Sequence, residues 1–396
     1  MTKKLSIEIK DPPEAKKALQ NLQKRGDPDA KRLIRFLNMP DLSRDKTSPL
    51  YELVERILNI KRFSSFYKIK VPEIVSAHES FDLFNFPKDH PARSASDTYY
   101  VDDEKILRTH TTIMWRYWLL EPEIQKRIKM KEGIGAFSYG KVYRKDELDR
   151  NHMNVFHQMD GWYLSPKEKE VITIDDLKEV LIEIAQIIFG KQIEYRFNVD
   201  AFPYTDPSIE MEIKVKDPST GSPQASLGQG RWVEVLGSGI VRPVVLKNFG
   251  VDSDVYNGWA FGFGLERLAI ISMQLPDIRL LWSNNLRIKK QLHLGNTYVS
   301  VSKYPPITRD ISFVVQKDFV PNDYFDLIRD LGGDLVEEVK LIDSYEDLEK
   351  FGKDTVSYTY RIVYRSSDRT LFSKEVDKIQ EEIYKQTAAE FNAKLR

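Results

Sequence analysis

The segment Gly258–Met273, GWAFGFGLERLAIISM, constrains this chain more than any other. Three glycines alternate with aromatic residues and run straight into an amphipathic helix opened by Glu266 and Arg267. A strand-to-helix junction of this kind is suited to holding an anion. Gly262 and Gly264 let the backbone approach a ligand with no Cβ in the way, and the helix points its positive N-terminus and an arginine into the same space. A nucleotide phosphate fits that description. So does a packed junction with a surface Glu266/Arg267 pair, and the segment alone leaves both readings open.

Composition narrows the setting. A chain of 396 residues, 41% hydrophobic and 11% aromatic, has material for a large core and for about two to three domains. Its 60 basic and 60 acidic residues cancel, so any nucleic-acid contact must come from local patches and not from a global field. The absence of cysteine excludes disulfides, thiolate metal sites and a cysteine nucleophile together. The N-terminal MTKKLSIEIKDPPEAKK mixes acids with bases and lacks an apolar run, and no later stretch is long and apolar enough to span a membrane. A cytoplasmic protein without membrane contact is the expectation.

The texture of the chain changes three times. Residues 1–60 are polar, slightly basic and helix-prone, cut by Pro12-Pro13, Gly26-Asp27-Pro28 and Met39-Pro40-Asp41, and read as a helical appendage. Residues 61–284 carry strands. Ile209, Met211, Ile213 and Val215 alternate with Glu210, Glu212 and Lys214, which predicts a half-buried antiparallel strand, and Trp232–Leu236 continues the pattern. One helix intervenes, capped by Thr173, with Leu177, Val180, Leu181, Ile184, Ile187 and Ile188 as its apolar stripe and Gly190 at its end. The fold class is α+β around an antiparallel sheet. After a polar connector over 285–297, residues 298–396 read strand (298–315), helix, strand, strand, helix, the order of a small ferredoxin-like domain.

Three segments join the glycine-rich one. The first is Phe86-Pro87-Lys88-Asp89-His90-Pro91-Ala92-Arg93 with Leu107-Arg108-Thr109-His110-Thr111-Thr112 behind it; the second is the strand, loop and strand of Val142–Gly161; the third is Phe202–Ser208. Together and in this order they resemble the DHP-R, R-HT, VYR, HQ-E, FPFT-PS, EVLG-G and GWAFG-GLERL signatures of the class II aminoacyl-tRNA synthetases, in their phenylalanyl branch. The C-terminal SKYPPITRDISFVV, LGGDLVEEVKLID and YRIVYRSSDRTL resemble the anticodon-binding domain that the single-chain, mitochondrial-type members carry behind the catalytic core. The resemblance covers about residues 50–396.

The resemblance implies a ligase that joins phenylalanine to tRNA(Phe) using ATP and Mg2+, through an adenylate, with acyl transfer to the 2′-hydroxyl, by a monomer without an editing subunit. Attack of a carboxylate on the α-phosphorus needs no protein nucleophile, only positioning and cancellation of charge. Arg144 would serve the α-phosphate and Arg267 the adenine and γ-phosphate, tasks suited to a planar, permanently charged guanidinium. Phe156 would form the other face of an adenine sandwich, Gly264 would border the nucleotide, and Glu234 would lie near the magnesium. The residues themselves leave alternatives: an ion pair of Arg144 with Asp146 or Glu147, a core role for Phe156, surface decoration for Glu234.

For the amino acid, the resemblance implies Gln158 and Asp160 at the ammonium, His110, Thr112 and Trp115 nearby, and Phe202, Tyr204, Ala260 and Phe261 around the ring. Core packing is the competing reading for each aromatic. Four positions depart from the usual pattern, in which Glu stands at Asp160, Phe at Tyr204, Gln at Trp115 and Ser at Thr112. They keep two other readings open: a related ligase for a different amino acid, and a non-catalytic tRNA-binding relative.

Overall fold

Ile209, Met211 and Ile213 are buried while Glu210 and Glu212 between them are only partly so, and this alternation recurs through one large sheet. The computed structural model describes residues 5–146, 149–216, 230–300, 304–366 and 368–396. They fall into two units: the first holds the chain up to Tyr143 with Val155–Leu275 and Leu292–Tyr298, the second holds Arg144–Asn154, Pro276–Gln291 and Val299–Arg396. No described helix is long and apolar enough to cross a membrane.

The strands of the first unit are β1 (Ser6–Glu8), β2 (Tyr67–Lys70), β3 (Ile74–Ser76), β4 (Lys105–Leu107), β5 (Ile134–Tyr143), β6 (Val155–Pro166), β7 (Tyr195–Asp200), β8 (Thr205–Lys216), β9 (Gly230–Val241) and β10 (Tyr256–Gly264). Eight of them make one sheet in the order β1-β2-β5-β6-β10-β9-β8-β7, and β3 pairs with β4 apart from it. The sheet is mixed and not purely antiparallel, because β1–β2 and β2–β5 run parallel. Parallel neighbours need long crossovers, and the helical stretches between β1 and β2 and between β2 and β5 supply them.

Residues 5–60 belong to this unit. β1 adds an edge strand, and two of the prolines that break the sequence, Pro13 and Pro28, open helices, as does Pro49, giving Pro13–Lys24, Pro28–Asn38 and Pro49–Leu58, where a missing N–H costs nothing. Asp27 and Ser48 cap the last two through the N–H groups of Ala30 and Leu50. The helix Ile174–Phe189 starts in a reciprocal capping box of Thr173 and Asp176 and ends at Gly190, whose φ of +92° favours glycine. Its stripe is buried as expected except at Ile187, which is exposed. This helix, Pro49–Leu58 and Leu265–Met273 pack on one another and against β6 and β9.

In the second unit β11 (Ile307–Gln316), β12 (Val336–Tyr345), β13 (Thr355–Tyr364) and β14 (Lys394–Leu395) form an antiparallel sheet, ordered β12-β13-β11-β14. The helices Pro321–Gly332 and Ser373–Glu390 complete the expected βαββα order over a core of Phe313, Tyr324, Tyr360, Ile362 and Tyr364. The first strand begins at Ile307 and not at 298, since Pro305-Pro306 cannot donate to a ladder and Tyr298 bonds Met273 in the first unit. Residues 301–303 of the expected strand lie outside the described residues.

Candidate active site

One face of β6 carries Phe156, Gln158, Asp160 and Trp162 in successive rows about 7 Å apart, while His157 and Met159 point to the other face. On β10, Gly264, Gly262 and Ala260 stand opposite Gln158, Asp160 and Trp162. On β9, Gly237 and Gly239 stand opposite Gly262 and Ala260. The result is a floor of glycine beside a ladder that passes from a flat ring through an amide and a carboxylate to a buried indole.

Asp160 is 2% exposed. Its Oδ1 accepts from Gln158 Nε2 at 3.1 Å, and its Oδ2 accepts from the Thr111 hydroxyl. The buried Oε1 of Gln158 has no hydrogen-bond partner among the described residues, an acceptor awaiting a donor. Two acceptors side by side, one of them a carboxylate, suit an ammonium group. The hydroxyl on Asp160 comes from Thr111; Thr112, expected near the amino acid, is buried next to it in the same single 3-10 turn. Gly262 is required here: a Cβ would lie 2.1 Å from Asp160 Oδ1, so this glycine makes room for the protein's own carboxylate. At Gly264 a Cβ would meet only the Phe156 ring, at 4.0 Å, and packing does not demand glycine there.

Aromatic rings wall the carboxylate end. Phe202 and Tyr204 stack with centroids 5.7 Å apart, and Phe202 lies over Gly237, where a Cβ would come within 3.0 Å of it. Tyr204 meets Phe84 edge-on at 6.3 Å and Phe86 at 5.9 Å, and His110 contacts the same two rings. Phe84, fully buried, was not singled out from the sequence, though it shares the Phe81, Phe84, Phe86 spacing of one apolar stretch. Trp115 is also fully buried and stacks on Trp162 at 3.9 Å, so it supports the floor of the wall. Ala260 stands in the Trp162 row. Phe261 does not join it: neighbouring strand residues point to opposite faces, and this ring packs beneath the sheet 6.1 Å from Phe137 and over Gly161.

At the other end, Arg267 is 48% exposed and reaches back to Glu234, with Nη1 donating to its carbonyl at 3.3 Å and standing 3.6 Å from its carboxylate. Glu234 faces Glu212 across the β8–β9 ladder. Burial raises its carboxyl pKa, Arg267 opposes that, and the charges of Glu210, Asp200 and Glu212 reinforce it; the net direction is upward. Among the described residues no group of three His, Cys, Asp or Glu side chains could hold a metal ion. Glu266, half of a surface pair in one of the two readings the sequence left open, is buried at 3% exposure.

Arg144 follows β5 directly, is exposed, and its N–H bonds the Asn154 carbonyl at 3.0 Å. It belongs with the second unit. There Lys145 pairs with Asp323 at 2.7 Å, Asn154 donates to Asp326 at 3.2 Å, and Arg150, Arg279 and Arg365 surround the buried Glu337. Residues 147–148 of this loop lie outside the described residues.

Comparison with known proteins gives these features a context. Residues 36–292 match the family model "tRNA synthetases class II core domain (F)", and residues 302–396 match the "Ferredoxin-fold anticodon binding domain". The chloroplastic/mitochondrial phenylalanine–tRNA ligase of Arabidopsis thaliana is 38% identical over 82% of this chain and 71% of its own length. The mitochondrial phenylalanine–tRNA ligase of Mus musculus is 33% identical over 87% and 80%, and the probable mitochondrial enzyme of Drosophila melanogaster is 34% identical over 82% and 77%. The compartments printed for these relatives are organellar, where the sequence had suggested the cytoplasm. By both its core and its relatives, the chain belongs to the phenylalanine–tRNA ligases, a family of class II aminoacyl-tRNA synthetases.

Proposed function

We propose that this protein ligates phenylalanine to tRNA(Phe), acting as a monomer. The phenylalanine carboxylate attacks the α-phosphorus of ATP, pyrophosphate leaves, and a terminal ribose hydroxyl of the tRNA then attacks the acyl carbon as AMP departs. Asp160 and Gln158 receive the ammonium, and Phe202, Tyr204, Phe84 and Ala260 surround the ring. Phe156 and Arg267 take the adenine and phosphate end, and Arg144 the α-phosphate. Magnesium, carried by the nucleotide with Glu234 beside it, would neutralise phosphate charge. The described residues offer no nucleophile that this scheme needs, only positioning and charge.

The observation that carries the reading is the buried Asp160 carboxylate bonded to Gln158, whose buried amide oxygen is unsatisfied, set between an aromatic wall and the Phe156 end of the same strand. An anticodon-binding domain on the same chain supports tRNA as the acceptor and a single chain as the working unit. Amino-acid-dependent pyrophosphate exchange, run over all twenty amino acids, tests it. Exchange with phenylalanine, followed by charging of tRNA(Phe), is expected; strongest exchange with another amino acid, or none with any, would overturn it.

A further inference from the structure

His157 lies between Phe156 and Gln158, two of the β6 residues that face the site, yet points away from it and is 0% exposed. Both ring nitrogens and the backbone N–H have partners, and Asp41 Oδ1 also lies 3.4 Å from Nε2. Nδ1 is 2.6 Å from Glu266 Oε1, and the His157 backbone N–H is shared by the two oxygens of that carboxylate at 3.0 and 2.8 Å. The β6–β10 ladder ends at Gln158 and Gly264, so the next N–H along β6 would have no strand partner; the Glu266 side chain, in the first turn of the following helix, takes that place. On the far side, the Leu42 N–H donates to Nε2 at 2.9 Å. The partners assign the tautomer: Nε2 accepts, so Nδ1 bears the proton and gives it to Glu266.

Leu42 belongs to a segment held by a second buried group. Lys141, directly across the ladder from His157, sends its ammonium to the carbonyls of Leu37 at 2.7 Å and Met39 at 2.9 Å, the C-terminal end of the helix Pro28–Asn38. Arg44 donates to the Tyr139 carbonyl at 2.9 Å. Neighbouring side chains on one face of β5 and β6 thus grip residues 36–44, and one of them also grips the first turn of the helix that carries Arg267.

We infer that His157 is a positioning residue for ATP: through Glu266 it fixes the helix start that aims Arg267, while its separate bond to Leu42 holds the N-terminal segment against the sheet. The inference rests on the assignment of Arg267 to the nucleotide. A guanidinium at the end of a flexible, half-exposed side chain is only as well placed as its backbone, and a displacement of about 1 Å is enough to cost roughly 10²-fold in rate.

Two isosteric replacements separate the two bonds. His157→Gln keeps an acceptor near the Nε2 position for Leu42 and loses the donor to Glu266; His157→Asn keeps a donor near the Nδ1 position for Glu266 and loses the acceptor. Full-length parent, both variants and Glu266→Gln would be compared by pyrophosphate exchange at varied ATP and phenylalanine, by calorimetric titration with ATP alone, and by thermal melting. The expected result is a rise of about 10-fold or more in KM and Kd for ATP in His157→Gln and Glu266→Gln, with KM for phenylalanine within about twofold and His157→Asn within about threefold of parent. Equal effects of Gln and Asn, equal changes in both substrates, or an ATP affinity that follows only the melting temperature would overturn it. If one histidine variant does not fold, Glu266→Gln carries the comparison. Absence of exchange in the parent would instead count against the ligase assignment, with ATP titration still deciding the role of His157.

Discussion

The α-carbon of Gly262 and the carboxylate of Asp160 face each other so closely across the β6–β10 ladder that a methyl group there would sit 2.1 Å from Oδ1. Gly262→Ala must therefore push the carboxylate away from Gln158 and Thr111 or open the ladder. A loss of about 10²-fold in kcat/KM for phenylalanine is expected, the scale of an ångström-sized misplacement, with a much smaller change in ATP affinity. Steady-state exchange at varied phenylalanine reads it directly, and a parent-like value would mean that Asp160 is not the ammonium site.

Asp160→Asn keeps the shape and removes the charge. A hydrogen bond to a charged group contributes about 1.5–3 kcal/mol, so KM for phenylalanine should rise by roughly 10- to 100-fold. The Thr111 and Gln158 contacts can re-form around an amide, and the melting temperature should move little. Equal weakening of ATP and phenylalanine would point to a structural role instead.

Arg267→Ala and Arg144→Ala are each expected to lower adenylate formation by about 10²-fold or more, as for loss of an electrostatic transition-state contact. Stability should hardly change in the first case, because the Arg267–Glu234 pair is half-exposed and such pairs contribute about 0–1 kcal/mol. Single-turnover adenylate formation, paired with urea unfolding, distinguishes lost chemistry from lost fold.

Much of this site was legible because glycine and alternation carry geometry into sequence. A glycine opposite a carboxylate, an alternating β8 and a Thr-x-x-Asp helix start all left local signatures. Phe261 shows a signal that was present and overridden: adjacent strand positions cannot share a face, so Ala260 and Phe261 could not both border one ring. Thr111 and Thr112 could not be told apart, since a single 3-10 turn decides which hydroxyl reaches Asp160. The Glu266–His157–Leu42 chain was invisible because its members are more than a hundred residues apart, and a Glu-Arg pair at a helix start reads as surface. The edge strand β1 and its neighbour β2 were hidden for a related reason: three and four residues long, they are set by partners far along the chain.

In the second unit, Glu337 is buried among Arg150, Arg279 and Arg365. Breaking a fully buried ion pair from one side costs about 3–5 kcal/mol, but these guanidiniums keep partial solvent access, so Glu337→Ala should cost nearer about 2–3 kcal/mol. Chemical denaturation of the full chain, followed by a probe in this unit, would register the loss. A change below about 0.5 kcal/mol would show that the three arginines find equivalent partners in water.

Tyr204 stacks on Phe202 and meets Phe84 and Phe86, and the proposed pocket makes it a test of specificity. Rings at these distances favour an aromatic guest through contacts of about 0.5–1.5 kcal/mol each beyond burial. They discriminate weakly against tyrosine, because an apolar pocket rejects an added hydroxyl by only about 10²-fold. A pocket-lining tyrosine lowers that further if its hydroxyl can bond an incoming one. Tyr204→Phe should then raise the ratio of kcat/KM for phenylalanine over tyrosine, whereas Ala260→Gly, which removes a methyl from the Trp162 row, should admit para-substituted phenylalanines. The two variants test different walls of one pocket. An unchanged ratio in Tyr204→Phe together with new acceptance in Ala260→Gly would place the para position of the substrate against Ala260 and leave the Tyr204 hydroxyl to packing.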